Sequence, residues 1–147
     1  LFAEYKFILR SGGATGAVMA FEEGCDLANG YKEIILPWEG FEDNASTLIP
    51  LDFIKEYELA SKYHPKWDSL GPKAKKLIAR NGNQILGVDL TTPVDFVVCY
   101  TPDGEASGGT GQGIRIAKDL GIPVFNLGKD GDADKLNSYI TRLLTFT

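Results

Sequence analysis

Two glycine-rich segments constrain the fold of this chain more than any other feature. Residues 12–16 read Gly-Gly-Ala-Thr-Gly, and residues 108–111 read Gly-Gly-Thr-Gly. Each follows a short apolar run typical of a buried strand and precedes a stretch with the periodicity of a helix. A strand–glycine turn–helix unit that occurs twice predicts an α/β fold built on a parallel sheet. We call these the first and the second glycine segment.

Strands and helices also alternate along the rest of the chain. We predict strands at residues 5–9, 33–37, 95–100 and 122–127, and helices at residues 17–24, 51–63, 72–87 and 133–144, with a further helix that ends at residue 120. Residues 38–50 are predicted to be a long loop. Pro72 suits the first turn of its helix, and Gly121 suits a left-handed helix end. We therefore expect a single domain over residues 1–147, with one parallel sheet and right-handed crossovers.

Composition limits the class of ligand. The 147 residues carry a formal charge of −5 and have a pI near 4.9, which argues against broad binding of nucleic acid. No window approaches the ~18 consecutive apolar residues that a membrane helix needs. Cys25 and Cys99 lie far apart without a CxxC or a histidine companion, so we expect no metal and a reducing, cytoplasmic location.

Both glycine segments suit the binding of a phosphate group. A helix N-terminus leaves backbone N–H groups unpaired and carries roughly half a positive charge, and glycine lets the backbone approach an anion closely. The Thr110 hydroxyl adds a donor. Neither segment continues as Gly-Lys-Ser/Thr, and neither has the full GxGxxG spacing. The alternative interpretation is that each only permits a tight connection.

The two motifs resemble one known superfamily. Arg-Ser-Gly-Gly-Ala-Thr-Gly-Ala (residues 10–17) and Gly-Gly-Thr-Gly-Gln (residues 108–112) look like the SLOG superfamily of Rossmann-like nucleotide-binding proteins. Ile-Leu-Pro-Trp, Ala-Arg-Asn-Gly-Asn-Gln and Gly-Ile-Pro-Val-Phe-Asn-Leu look like its small, uncharacterised branch in phages and bacteria. The resemblance implies a three-layer Rossmann-like fold with helices on both faces, and a nucleotide-derived ligand.

The start of the chain departs from that pattern. Members of the superfamily normally begin with another strand that ends in Gly-Ser-Arg and lies centrally in the sheet. This chain begins at Leu1 and has no such strand. We therefore expect that an upstream first strand is missing.

The candidate ligand-binding residues come from the two glycine segments, their flanks and the matching Arg-Asn pair. They are Arg10, Ser11, Gly12, Gly13, Ala14, Thr15, Gly16, Arg80, Asn81, Thr101, Gly108, Gly109, Thr110, Gly111 and Gln112. Neither a cofactor nor a metal is expected. A calcium loop beginning at Asp130 fails, because its sixth position is Lys135 and its twelfth is Thr141, so these acids are predicted to cap the last helix.

The superfamily includes phosphoribohydrolases of the LOG type, whose second motif is Gly-Gly-x-Gly-Thr-x-x-Glu. In this chain the glutamate position is occupied by Arg115, and a guanidinium cannot act as a carboxylate base. The catalytic candidates are therefore Arg80, Glu22 and Arg115, with Glu105 as a further carboxylate. Glu22 also fits a solvated helix position.

One helix face and one histidine outside the glycine segments each have two interpretations. Lys73, Lys76, Arg80 and Gln84 share one face of the predicted helix at residues 72–87, which is either solvated or turned to the ligand. LOG enzymes also use an arginine from a helix in this region, which favours Arg80 as a ligand contact. His64 is interpreted as a loop histidine packed beside aromatic residues, with base stacking as the alternative.

Three functions remain open. The first is a domain that binds a nucleotide or derivative as a sensor or processing domain. The second is an N-glycosidic hydrolase related to the LOG enzymes, and the third is single-stranded DNA binding like that of the DNA-processing A proteins, which the acidic composition disfavours. We also expect a homo-oligomer, because the resemblance implies dimers and aromatic residues crowd the middle of the chain. Residues 51–67 are the expected interface.

Overall fold

The computed structural model describes residues 2–145 and shows a mixed α/β chain. Within that range the elements are β1 (Leu9–Ser11), α1 (Ala17–Leu27), β2 (Lys32–Ile34), α2 (Ile54–Tyr63), α3 (Pro72–Leu86), β3 (Val97–Cys99), α4 (Gly108–Asp119), β4 (Val124–Asn126) and α5 (Asp132–Thr145). Single turns of 3-10 helix occur at Ala3–Tyr5, Phe41–Asp43 and Trp67–Ser69. The predicted order of strands and helices is confirmed.

The strands form two separate parallel pairs. β1 pairs with β2, with Leu9 opposite Lys32, and β3 pairs with β4, with Val97 opposite Val124. No ladder joins the two pairs within residues 2–145. The single continuous sheet that the sequence predicted is therefore not formed by the residues described.

Backbone geometry explains why each pair has an open edge. The N–H of Leu9 donates to Tyr31 O, and Ser11 O accepts from the N–H of Ile35, so residues 9 and 11 of β1 face β2. The peptide groups between them, at Arg10, point to the opposite side, because successive residues of a strand alternate in direction. β3 is arranged in the same way around Val98.

The first predicted strand is misplaced. Residues 3–5 form a 3-10 turn, Lys6 has a left-handed φ of 65°, and the extended strand begins only at Leu9. The Phe7 ring packs edge-on against Phe96 at 5.5 Å between centroids. This aromatic contact joins the residues just before β1 to those just before β3.

Helix ends follow the local sequence. Pro72 lies in the first turn of α3, and the helix ends at Gly87, whose φ is 86° and whose N–H donates to Asn83 O at 2.7 Å. Gly121, just beyond α4, has a φ of 73°. These two positions need a backbone conformation that glycine adopts easily. The left-handed end at Gly121 and the end of the helix near Gly87 agree with the sequence predictions.

The helices provide most of the core. α3 packs against both α2 and α4. Tyr57 of α2 lies between Phe53 and Trp67, with ring centroids 5.8 and 5.6 Å away. Much of the aromatic surface in residues 51–67 is therefore buried within the chain itself. No helix in residues 2–145 combines the length and apolar character needed to cross a membrane.

Candidate functional site

The first glycine segment connects the carboxyl end of β1 to the N-terminus of α1. Gly13 and Gly16 have φ values of 70° and 86°, so the backbone conformation itself requires glycine there. Gly16 is the N-cap, and no side chain caps the helix. The first N–H groups of α1 therefore have no partner inside the helix and are open to an anion.

The second glycine segment is already helical and forms the first turn of α4. Its N-cap is Ser107, whose hydroxyl makes no capping bond and instead donates to Asp103 Oδ1 at 2.8 Å. The backbone N–H of Glu105 donates to the same oxygen at 3.0 Å. These hydrogen bonds, that of Glu105 first, hold the pKa of Asp103 below its ordinary value. A carboxylate therefore stands beside this helix N-terminus.

Two consecutive residues of α3 bind both glycine segments. Arg80 Nη1 donates to Gly12 O, and it also donates to Ile35 O at 3.0 Å. Asn81 Nδ2 donates to Gly109 O at 2.9 Å. Since adjacent α-carbons are only about 3.8 Å apart, α3 brings the two predicted segments to one place.

Arg80 is a buried cation without a carboxylate partner. Only 3% of the residue is exposed, and its guanidinium lies 5.3 Å from the centre of the Phe41 ring. Burial lowers the pKa of Arg80 to about 10. No ion pair with Arg80 forms within residues 2–145, and its Nη2 atom has no hydrogen-bond partner there.

Gly12 leaves room for the close approach of this guanidinium. A Cβ at Gly12 would lie 2.5 Å from Gln84 Nε2 and 2.8 Å from Arg80 Cζ, which is closer than real Cβ contacts. Any other residue at Gly12 would therefore displace the Gln84 and Arg80 side chains. Gly109 is different, because a Cβ there would have only Asn81 Nδ2 nearby, at 3.6 Å.

Several side chains predicted to bind the ligand are buried or bonded to other residues of the chain. Arg10 Nε pairs with Glu33 at 3.1 Å and its Nη1 donates to Thr92 O at 2.5 Å, while Ser11 is buried. Thr101 donates its hydroxyl hydrogen to Glu105 O at 2.8 Å. The fully buried Gln112 donates from Nε2 to Ala60 O at 3.2 Å, and Gly111 is buried beside it.

The residues that remain at the surface form a smaller set. Thr15, Gly16, Gly108 and Gly109 are exposed, while Ala14, Asn81 and Thr110 are partly exposed. This narrows the candidate ligand surface to the backbone of the two glycine segments, with the Asn81, Thr15 and Thr110 side chains. Gly12 and Gly13 are buried beneath it.

The catalytic candidates other than Arg80 are held by neighbours. Arg115 donates from Nε to Tyr63 O, from Nη1 to Ala106 O and from Nη2 to Gln112 Oε1, at 2.8, 3.2 and 3.0 Å. Each of its nitrogens therefore has a partner, and burial lowers its pKa.

Glu22 lines a cleft of about 580 Å³ beside the first glycine segment, together with Asp43 and Ser46. Its carboxylate accepts from Asn44 Nδ2 at 3.0 Å and from Lys32 Nζ at 2.9 Å. A Cβ on Gly13 would lie 3.3 Å from the same Asn44 nitrogen, so the cleft adjoins the glycine backbone. Glu105 instead lies in the loop before the second glycine segment and is exposed.

His64 lies at the end of α2, beside a second cleft of about 520 Å³ that includes Trp67. Its Nδ1 accepts from the N–H of Lys66 at 3.1 Å. Burial, together with the charge of Arg115, lowers the pKa of His64. Its position beside an aromatic residue fits the structural interpretation of this histidine.

No group of three or more His, Cys, Asp or Glu side chains within residues 2–145 could hold a metal ion. Cys25 and Cys99 are free and buried, and burial raises the pKa of the Cys99 thiol to about 11. Of the acids predicted to cap the last helix, Asp132 is buried and accepts from the N–H of Asn126 at 2.9 Å.

Sequence reasoning missed two asparagines. Asn44 holds Glu22, and Asn126 Oδ1 accepts from the N–H groups of Thr101 and Gly128, at 3.1 and 3.0 Å. Asn126 orders the loop after β3 that leads to the second glycine segment. Its position at the end of the predicted strand at residues 122–127 was the signal available.

Comparison with protein-family models gives no match, and no curated protein or solved structure matches the chain either. The function is therefore argued from the geometry of the site.

Proposed function

We propose that this domain binds a nucleotide or a nucleotide-derived small molecule across the two glycine segments, as a sensor or processing domain. One observation carries the proposal. The consecutive residues Arg80 and Asn81 bind Gly12 O and Gly109 O, and so bring two helix N-termini without side-chain caps to one site.

The electrostatics of the site support a small anionic ligand. Each helix N-terminus contributes roughly half a positive charge, and Arg80 adds a buried cation. The chain as a whole carries −5. A compact anion can use the local positive region, whereas a long polyanion would also meet the acidic surface around it.

We further propose that the two strand pairs are halves of one Rossmann-like sheet with helices on both faces. Three features support this: both pairs are parallel, the Phe7 and Phe96 rings meet at 5.5 Å, and each pair has an open edge. The backbone amides of Arg10 and Val98 should then be protected from hydrogen exchange, because each would bond to another strand. Rapid exchange at both positions would contradict the single sheet.

Calorimetric titration with a panel of nucleotides tests the binding function, with Gly109→Val as the key variant. Valine at Gly109 adds bulk at the exposed helix N-terminus, where the backbone has room, so the fold should be retained. Gly24→Val is the matched control, because Gly24 lies in α1 and a Cβ there meets nothing within 4 Å. We expect at least about tenfold weaker binding for Gly109→Val only.

A full nucleotide panel without binding to the unmodified protein would refute the function. Gly13→Val is a poorer test than Gly109→Val. Gly13 has a positive φ, and a Cβ there would lie 3.0 Å from Leu36 Cδ2, so loss of binding could reflect loss of folding.

Hydrolysis of an N-glycosidic bond is the second candidate. It is favoured by the Glu22 carboxylate, which lines the cleft beside the first glycine segment. Chromatography of nucleoside monophosphates and NAD-like compounds incubated with the protein should then show release of free base. Glu22→Gln should abolish release, and Glu23→Gln, an exposed neighbour on α1, should not.

Single-stranded DNA binding that weakens with salt would instead support the third function.

A further inference from the structure

We propose that Glu56 of α2 and Asn83 of α3 form a binding site for a compact monovalent cation, such as potassium or ammonium, between the two helices. The site is separate from the two glycine segments and from the two clefts described above. It does not depend on the proposed binding of a nucleotide. Two buried oxygen atoms that lack a hydrogen-bond donor point to it.

The two oxygens are Glu56 Oε2 and Asn83 Oδ1. Within residues 2–145 they are the buried side-chain polar atoms that have no hydrogen-bond partner. Glu56 is 7% exposed and Asn83 is completely buried. Burial raises the pKa of Glu56 and the Asn83 side chain opposes that rise, so the two groups lie within reach of each other. Because a buried polar atom normally has a partner, two such atoms on adjoining helices indicate one common ligand.

The orientation of the Asn83 amide explains why its oxygen is free. The Nδ2 atom of Asn83 donates to Gly87 O at 3.1 Å and to Val88 O at 3.4 Å. If the amide were turned over, its oxygen would face these two carbonyl oxygens, which are acceptors themselves. The amide therefore keeps Oδ1 away from them, and the two helices present an amide oxygen and a carboxylate that both need a positive or donating ligand.

The charges around the site favour a cation over a neutral water molecule. Glu56 forms no ion pair within the described part of the chain. Asp52 adds a negative charge nearby, and Lys55 acts in the opposite direction. Asn83 lies in the last turn of α3, which contains no basic residue although a helix C-terminus carries roughly half a negative charge. Water would satisfy both oxygens, but it would leave the buried carboxylate uncompensated.

The ligand set limits the class of cation. Calcium and magnesium need large sets of oxygen ligands, whereas one carboxylate and one amide oxygen are available here. The single carboxylate balances the charge of a monovalent ion. Carbonyl oxygens replace the hydration shell of potassium in proteins, and the N–H groups of an ammonium ion donate to the same atoms. The site therefore suits these small ions and not a larger organic cation.

Thermal unfolding in two chloride salts at about pH 8 tests the site. Tetramethylammonium matches the ionic strength but is too large to lie between the helices. We expect the unfolding midpoint to be about 2–4 °C higher in potassium chloride than in the same concentration of tetramethylammonium chloride. Glu56→Gln should lose this difference, because it removes the charge with little change of shape. Glu58→Gln, at an exposed position of the same helix, should keep it.

Thallium(I) replaces potassium and scatters anomalously, so it locates the ion in crystals. An anomalous peak in contact with the Glu56 and Asn83 oxygens would support the site. Equal midpoints in the two salts would overturn the proposal and assign the position to water. A difference that persists in Glu56→Gln would also overturn it, because the cation would then bind elsewhere. A thallium peak without a potassium-dependent midpoint would indicate an adventitious ion only. Since a proton neutralises Glu56 when the cation is absent, the pH dependence of this residue is measured in tetramethylammonium.

Discussion

Glu56 of α2 faces Asn83 of α3, and each side chain has a buried oxygen without a hydrogen-bond donor. Asn83 uses its Nδ2 to donate to Gly87 O at 3.1 Å, and its Oδ1 has no donor. Burial is the largest influence on the pKa of Glu56 and raises it, and Asp52 adds to the rise, whereas the backbone hydrogen bond, Asn83 and Lys55 lower it. Burial therefore favours the neutral form of the Glu56 carboxyl group.

This pair predicts a pH-dependent stability. Because the folded pKa of Glu56 lies above the unfolded value of about 4.3, its contribution is complete below about pH 4.3 and is lost as the pH rises through the folded pKa. Glu56→Gln keeps a neutral side chain with a donor at every pH. At pH 7 the variant should be more stable than the unmodified protein by about 1 kcal/mol in urea denaturation, and the difference should shrink at pH 4.

Glu58→Gln is the matched control, because Glu58 lies on the same helix with its side chain exposed. It should change stability little at either pH. If Glu56→Gln destabilises the protein equally at pH 4 and pH 7, the fold does not raise the pKa of Glu56.

A second prediction concerns the loop that leads to the second glycine segment. A Cβ on Gly128 would overlap Thr101 O, so Gly128→Ala must displace the loop after β3. We expect a loss of about 2–3 kcal/mol in the free energy of unfolding. Gly24→Ala, in the interior of α1 with free space around it, should stabilise the protein by about 0.5–1 kcal/mol. Equal effects of the two changes, measured by thermal unfolding, would be inconsistent with this packing.

A third prediction concerns Asn81, which connects α3 to the second glycine segment. Asn81→Ala removes the bond to Gly109 O and the acceptor for Arg80 Nε and Gln84 Nε2. Stability should fall by about 1–2 kcal/mol, and nucleotide binding should weaken, because Asn81 holds the second glycine segment against α3. Asn137→Ala, at an exposed position of α5, is the control. Nucleotide binding that calorimetry finds unchanged in Asn81→Ala would argue against a site that spans both segments.

The fourth prediction concerns association through residues 51–67. Tyr57 packs between Phe53 and Trp67, so Tyr57→Glu would damage the fold as well as any interface. Ile54, at the start of α2, is 67% exposed and is the better choice. Light scattering at micromolar concentration should show a homo-oligomer that Ile54→Lys converts to a monomer with unchanged helical circular dichroism. Leu27→Lys, at an exposed position of α1, should not dissociate it, and a monomer mass for the unmodified protein would end the prediction.

The sequence predicted those parts of the candidate site that the backbone forms. The two glycine segments were placed at helix N-termini correctly, because glycine and the change of periodicity are local signals. Arg80 and Asn81 were selected by resemblance, but their contacts with Gly12 and Gly109 could not be predicted. Those contacts join residues 68 and 28 positions apart.

The sequence by itself determined the order of strands and helices. It also determined the two ends of α3, because the backbone preferences of Pro72 and Gly87 act at the positions where these residues stand. Only the tertiary structure decided the burial of Arg80 and Gln112. The spacing that puts Arg80 in line with Lys73 and Lys76 is the same for a solvated face and a buried one, and the packing of α3 against its neighbours selects between them. Strand pairing was also decided by the tertiary structure, because the backbone N–H and C=O groups of a strand need a neighbouring strand as their hydrogen-bond partner.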